Sequence, residues 1–184
     1  FINRDGVTTH YMTAQKLRQW PINFGASVFT MQKYNQKVID IGKPFLEKIG
    51  YRGFSEIEFK KHEKTGEIYL IEVNVRTTNF DNLINKVGID MPYLAYKDLT
   101  CGLSDDDRLY VNYDTKYAFI YGKEDFAALL AYSKSGQMSF FKGFFQIFTK
   151  KLAPAIWMIG DNKPWVYYNY DLFKGIIKKI FRRG

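Results

Sequence analysis

The feature that most constrains this chain is a pair of alternating segments separated by a turn. The first, GFSEIEFK, covers residues 53–60, and the second, IYLIEVNVR, covers residues 68–76. The sequence HEKTGE lies between them at residues 62–67. Successive side chains of a β-strand point to opposite faces, so the alternation predicts two strands, each with one polar and one apolar face. The short, glycine-containing connection predicts that they pair as an antiparallel hairpin.

The polar face of this hairpin predicts a site for a divalent metal and a phosphate. Glu58 lies on the first strand, and Glu72, Asn74 and Arg76 occupy every second position of the next segment. Because paired strands lie about 4.8 Å apart, these side chains reach one place. Mg²⁺ takes oxygen ligands together with substrate phosphates, and a guanidinium can hold a phosphate oxygen in a fork. The alternative is a solvated face on which these residues form cross-strand ion pairs.

Three stretches carry a family resemblance: GFSEIEFK at 53–60, YLIEVNVR at 69–76 and GIDMPYL at 88–94. They resemble the C-terminal lobe of the ATP-grasp superfamily, in its carbamoyl-phosphate-synthase-like and amino-acid-ligase-like branch. The resemblance covers residues 1–102. It implies that Glu58 and Glu72 ligate Mg²⁺, with Glu72 bridging two ions and Asn74 ligating the second; Mn²⁺ is an alternative metal. It also implies a catalytic Arg76, which stabilises the transferred phosphoryl group or an acyl phosphate.

The resemblance further implies a reaction and its partners. In this family ATP activates a carboxylate, an amine or another nucleophile attacks it, and ADP and phosphate are released. The family's N-terminal lobe, which supplies phosphate-binding lysines and the adenine hinge, is not present here, so we expect missing upstream sequence and a half-site that is inactive alone. The implied cofactors are ATP and Mg²⁺, and the implied partners are that lobe and small carboxylate and amine substrates. Many relatives have Asn-Pro-Arg where this chain has Asn74, Val75 and Arg76, and valine in place of proline preserves the strand.

Lys16 and Arg18 are candidates for contacts with the cofactor. They lie two apart in a segment that Pro21 keeps extended at its end, so both are predicted to face one way. In the resemblance, this segment precedes the acidic strands and lines the cleft. We therefore predict cofactor-binding roles for Lys16 and Arg18, with Arg18 on a substrate or phosphate group. Exposure of Arg18 to solvent is the alternative.

The predicted fold class is α+β, with an antiparallel sheet flanked by helices. Helices are predicted after the N-cap Asn35 and over residues 81–87, 91–100 and 123–133. Pro44 predicts a kink in the first helix, or a first half that is not α-helical. We expect residues 1–102 to form the ligase lobe and residues 103–184 to form a basic, aromatic, largely helical extension.

Charge and composition restrict the classes of function. The net charge is +8, but residues 141–184 hold nine Lys or Arg against two Asp, or +7, so the basic character belongs to this segment and nucleic-acid binding is disfavoured. The single cysteine, Cys101, excludes an internal disulfide and fits a reducing cytosol. No apolar run approaches the roughly 20 residues of a membrane-spanning helix. The predicted location is cytoplasmic, with contact at a membrane surface left open.

Two apolar stripes with helical spacing lie in the extension. They consist of Phe140, Phe141, Phe144, Phe145 and Phe148, and of Leu172, Phe173, Ile176, Ile177, Ile180 and Phe181. We predict that both pack on the body of the protein or on a second subunit of a homodimer. Peripheral contact of residues 171–183 with anionic lipid is the alternative. A second hypothesis for function follows, in which a non-catalytic, ligase-like module uses this tail to bind a protein partner or an anionic membrane.

Overall fold

The structure is a computed structural model that describes residues 1–158 and 160–181, with side chains described as far as Lys174. Its strands are β1 (His10–Tyr11), β2 (Ala14–Trp20), β3 (Ala26–Gln32), β4 (Glu56–Lys61), β5 (Ile68–Asn74), β6 (Leu109–Tyr110), β7 (Tyr117–Ile120) and β8 (Lys151–Pro154). Its α-helices are α1 (Gln36–Lys48), α2 (Asp81–Lys86), α3 (Met91–Thr100), α4 (Gly122–Lys134), α5 (Phe140–Phe148) and α6 (Lys163–Phe181).

A four-stranded mixed sheet is the centre of the fold, in the order β2-β3-β7-β8. The β2/β3 and β3/β7 pairs are antiparallel, whereas β7 and β8 run parallel. Parallel strands need a crossover connection, which α4 and α5 provide. Strands β1 and β6 also pair in parallel. The α+β prediction is confirmed, but the prediction of an antiparallel sheet is wrong for these two pairs, because their strands are joined by long connections and not by tight turns.

Helices cover both faces of the sheet. On one face, Phe119 of β7 and Ala153 of β8 are fully buried in a core with Leu83 and Ile84 of α2. On the other face, α4 packs against β2 and β3 through the buried residues Ala128 and Leu129. Strands from the predicted 103–184 region thus share one sheet with β2 and β3. The predicted boundary between residues 102 and 103 stays a prediction.

The β4/β5 hairpin is a separate two-stranded sheet that packs on α1. A Cβ added to the buried Gly42 of α1 would lie 3.0 Å from Ile57 Cδ1 and 3.4 Å from Phe59 Cζ, so the apolar face of β4 lies directly on this glycine. Ile2 anchors the start of the hairpin through two backbone hydrogen bonds with Gly53, of 2.8 and 3.0 Å. The polar face of the hairpin therefore points away from α1.

The helices predicted from local signals are confirmed within two residues of their ends. Asn35 caps α1, because its side chain accepts a 3.1 Å hydrogen bond from the backbone N–H of Lys37. The helix continues through Pro44, so the expectation of a non-helical first half is wrong. Proline removes one intrahelical donor and its ring crowds the preceding turn, which disfavours a helix without preventing one here. The expected kink stays a prediction.

A buried ion pair joins the sheet to the helices of the crossover. Arg18 of β2 donates from Nε and Nη2 to the two carboxylate oxygens of Asp125 of α4, at 2.6 and 2.8 Å. Its Nη1 donates to Gln146 Oε1 at 2.9 Å and to the carbonyl of Gly143 at 3.4 Å, both in α5. The guanidinium carbon lies 4.1 Å from the centre of the Phe29 ring. One side chain thus holds three elements together without contact with solvent.

The C-terminal region is only partly covered by these contacts. None of the helices in the described ranges combines the length and the apolar character needed to cross a bilayer. In α5, Phe140 and Phe144 are partly buried, while Phe141, Phe145 and Phe148 are exposed, so these three do not pack on the body of the protein, and their packing on a second subunit stays a prediction. The side chains of Ile176, Ile177, Ile180 and Phe181, and of the basic residues among them, lie outside the described residues.

Replacing Asp125 with alanine tests the ion pair. We expect Asp125→Ala to lower the free energy of unfolding by about 3–5 kcal/mol, because Arg18 would keep its charge in a buried place without a counter-charge. Urea unfolding measures this loss. The double variant Arg18→Met/Asp125→Leu should lose much less, and Asp106→Ala, at an exposed carboxylate, should change stability by less than about 0.5 kcal/mol. Equal stabilities of Asp125→Ala and Asp106→Ala would contradict the assignment.

Candidate functional site

The hairpin brings the three predicted metal ligands onto one face. Its turn closes where predicted, with the backbone N–H of His62 donating to the carbonyl of Glu67 at 2.8 Å. Glu58 of β4 pairs directly with Glu72 of β5, and Asn74 lies two residues further along the same strand. Directly opposite residues of an antiparallel pair point to the same side, with Cβ atoms about 5 Å apart. The structure therefore makes the three oxygen donors neighbours, and their role as metal ligands stays a prediction.

Lys16 reaches this face from the central sheet. Its Nζ lies 3.0 Å from Glu58 Oε2, and about a third of each side chain is exposed, 32% in both cases. The contact links β2 to β4, which belong to different sheets. A partly exposed ion pair of this kind contributes about 1 kcal/mol or less to stability, so it matters mainly because it places Lys16 next to Glu58. It puts an ammonium beside a predicted metal ligand, as a cofactor-binding role for Lys16 requires.

Glu56 is a further member of the cluster that the sequence analysis did not select. It pairs directly with Asn74, on the same face as Glu58. Burial, together with the neighbouring Glu58 carboxylate, raises the pKa of Glu56 to about 7, against the opposing effect of Lys16 and Arg76. Its position two residues before Glu58 indicates that it belongs to the cluster, because side chains two apart on a strand lie on the same face.

Arg76 lies just past the end of β5, exposed, with Nη1 donating to the carbonyl of Thr77 at 3.0 Å. Its charge acts on Glu56, so it belongs to the same electrostatic cluster. The loop that carries it is fixed to the central sheet, because Asn79 Nδ2 donates to the carbonyl of Ser27 in β3 at 2.8 Å. The guanidinium thus has an anchored base and a solvent-exposed end, an arrangement suited to binding an anion.

Arg18 is not brought to this face, although the sequence analysis placed it with Lys16. Lys16 pairs with Thr30 of β3 and Arg18 pairs with Phe29, so two steps along β2 match one step along β3. This β-bulge sends the two cations to opposite faces of the sheet, and the expectation that both face one way is wrong. The donors of Arg18 bind Asp125, Gln146 and Gly143 in the interior, and we leave Arg18 out of the proposed site.

The donor chemistry of the face fits magnesium. Mg²⁺ is typically held by one or two carboxylates while water and substrate phosphates complete its coordination, and the facing Glu58 and Glu72 with the amide of Asn74 match this pattern. In the described ranges, no group of three or more His, Cys, Asp or Glu side chains is placed to hold a metal ion by itself. The set is therefore unlike a structural zinc site, which provides all four ligands from protein.

Comparison with known proteins gives one similarity. Over 78 residues, 42% of this chain, the sequence is 32% identical to a D-aspartate ligase of Enterococcus faecium (strain Aus0004). The similarity supports a ligase-type function. It is a coarse statement, because the matched region spans only 18% of the length of that enzyme. No family model and no solved structure matches the chain.

Glu56 gives the site a measurable pH dependence. An acid whose pKa is raised in the folded state binds its proton more tightly there than in the unfolded state. For Glu56, the resulting contribution to stability is fully present below the unfolded pKa near 4.5, and it is lost as the pH rises through the folded pKa of about 7. We expect Glu56→Gln to gain stability over the original protein as pH rises across this window. The gain should be about 1 kcal/mol, since partial exposure reduces the full conversion of pKa units into free energy.

Urea unfolding of both proteins at several pH values, without divalent metal, measures this difference. Glu63→Gln is the control, because Glu63 is exposed in the hairpin turn. A difference between Glu56→Gln and the original protein that stays constant from pH 5 to pH 8 would show that Glu56 is not in the predicted environment.

Proposed function

We propose that this chain carries the metal- and phosphate-binding half of the active site of an ATP- and Mg²⁺-dependent ligase of the ATP-grasp type, which joins a carboxylate to an amine. The observation that carries the proposal is the direct pairing of Glu58 with Glu72, with Asn74 on the same face. The similarity to D-aspartate ligase supports the ligase class. The resemblance of residues 53–60 and 69–76 to ATP-grasp enzymes supplies the finer assignment.

The roles of the residues follow from their chemistry. Glu58, Glu72 and Asn74 would hold the metal, which supplies neutralisation of the charge on the phosphate oxygens. Lys16 places an ammonium at the same end of the face, where it neutralises either Glu58 or a phosphate oxygen. Arg76 offers the planar, permanently charged group that best matches the equatorial oxygens of a phosphoryl group in transfer.

The proposed reaction is balanced in two steps. A carboxylate oxygen of the substrate attacks the γ-phosphorus of ATP, the bond from phosphorus to the bridging oxygen breaks, and ADP leaves. The amine then attacks the carbonyl carbon of the acyl phosphate, loses a proton, and expels inorganic phosphate. Positioning and charge neutralisation account for most of the catalysis of phosphoryl transfer, so fixed cations and carboxylates around the phosphates are the protein's main contribution.

The experiment uses the complete protein and two readouts. We expect Glu72→Gln to weaken the binding of Mn²⁺ by at least about tenfold, measured by electron paramagnetic resonance, because an amide replaces a charged ligand. We also expect it to abolish release of phosphate from ATP in the presence of carboxylate and amine pairs. D-aspartate, which carries both carboxylate and amine groups, is the first substrate to try, in view of the relative's name.

Glu63→Gln is the matched control, since it makes the same chemical change on the same hairpin at an exposed turn position. It should leave both readouts unchanged. Retention of metal binding and of turnover in Glu72→Gln would refute the proposed site. Loss of metal binding in a protein that never releases phosphate with any pair would favour the alternative, a ligase-like module without catalysis.

A further inference from the structure

Helix α5 presents a stripe of phenylalanines to solvent. Phe141, Phe145 and Phe148 are 69%, 62% and 71% exposed. Spacings of four and three residues place side chains on one face of a helix, so the three rings form a continuous apolar strip. Large apolar side chains exposed in a contiguous patch mark surfaces that bind something.

The opposite side of α5 is firmly packed, which fixes the direction of the stripe. A Cβ on Gly143 would lie 2.4 Å from Leu129 Cδ2, so the helix touches α4 through its bare backbone. Gln146 accepts a hydrogen bond from the buried Arg18. Because these contacts tie the rotation of α5 to the interior, the helix cannot turn its three phenylalanines inward without breaking them.

Two neighbouring helices also expose aromatic rings. In α4, Phe126 is 51% exposed and contacts Phe140 edge-on, with ring centres 6.1 Å apart. On another side of α4, Tyr168 of α6 donates its hydroxyl to Glu124 at 3.3 Å. The described part of α6 adds further exposed aromatic rings, namely Trp165, Tyr167, Tyr170 and Phe173.

The charge of this region is positive and is carried by lysine. Residues 141–174 hold five lysines against Asp161 and Asp171, a charge of +3, and residues 141–184 as a whole, with two arginines, carry +7. Lys142 lies on α5 beside the stripe, and in the described ranges it makes no ion pair with a carboxylate. Protein interfaces are depleted in lysine, whereas anionic lipid attracts clusters of lysine next to apolar side chains. The combination therefore favours lipid over a protein partner.

We propose that the face of α5 defined by the stripe Phe141, Phe145 and Phe148, with Lys142 beside it, docks on the surface of an anionic phospholipid bilayer. The three phenylalanines enter the boundary between headgroups and acyl chains. Lys142 lies near lipid phosphates, and the other lysines of residues 141–174 add to the attraction. The inference is independent of the ligase assignment, because it uses none of the residues of the hairpin.

Vesicle co-sedimentation of the complete protein tests the inference. We expect binding to phosphatidylcholine vesicles with about 30% phosphatidylglycerol at about 0.05 M salt, and loss of most of it at about 0.5 M salt or on pure phosphatidylcholine, because salt screens the attraction. The triple variant Phe141→Ser/Phe145→Ser/Phe148→Ser should bind at least about tenfold more weakly. These positions are exposed, so circular dichroism should show an unchanged fold.

Phe24→Ser is the matched control, because Phe24 is 98% exposed and lies in the β2–β3 connection. It should bind vesicles as the original protein does. Lys142→Glu provides a second variant. We expect it to bind vesicles more weakly than the original protein at low salt, and the difference between the two proteins should disappear at high salt. Absence of binding in the original protein at low salt, or equal binding by the triple variant, would overturn the proposal. So would a dimer that the triple variant dissociates in the absence of lipid, since a second copy would then be the occupant.

Discussion

The bidentate contact between Arg18 and Asp125 is the interaction on which the arrangement of the other elements depends. Removing two charges from water is costly, and the cost is offset only when donors and acceptors are fully engaged. Here the guanidinium is engaged by a carboxylate, an amide and a backbone carbonyl, and its face is covered by Phe29. An apolar pair could give similar stability, but it would not fix the directions of β2, α4 and α5 relative to one another. The pair thus specifies an arrangement more than it adds stability.

The candidate site depends on that arrangement, although none of its residues touches the ion pair. The hairpin contributes Glu56, Glu58, Glu72 and Asn74 from a sheet of its own, and the central sheet contributes Lys16. The two units meet through a partly exposed ion pair and through the anchored loop after Arg76. A face with acidic residues on the hairpin and a cation from the central sheet can accept a metal and a phosphate together. Since the hairpin and the central sheet are separate sheets, their relative position is set by the packing around β2 and α1.

The parts of the fold that local chemistry determines could be predicted from the sequence. The alternation of charged and apolar residues predicts the hairpin, and the capping residue Asn35 predicts the start of α1. Both signals depend only on residues close together in the sequence. Glu56 could be predicted in the same way, because it lies two residues before Glu58 on the same strand. The parallel pairing of β7 with β8 could not be predicted, since it depends on how two helices fold back over the sheet. The buried position of Arg18 could not be predicted either, because its partner Asp125 lies 107 residues away in the sequence.

The bulge in β2 lets one short segment serve two separate surroundings. Between Lys16 and Arg18, two steps of β2 match one step of β3, so one additional residue separates a cation beside the hairpin from a cation of the interior. A substitution at Lys16 would alter the charge next to Glu58 and leave the interior intact. Without the bulge, strict alternation over residues 16–18 would put both cations on one face, and either Lys16 would lose Glu58 or Arg18 would lose Asp125. The irregularity of this strand is therefore what allows the two contacts to coexist.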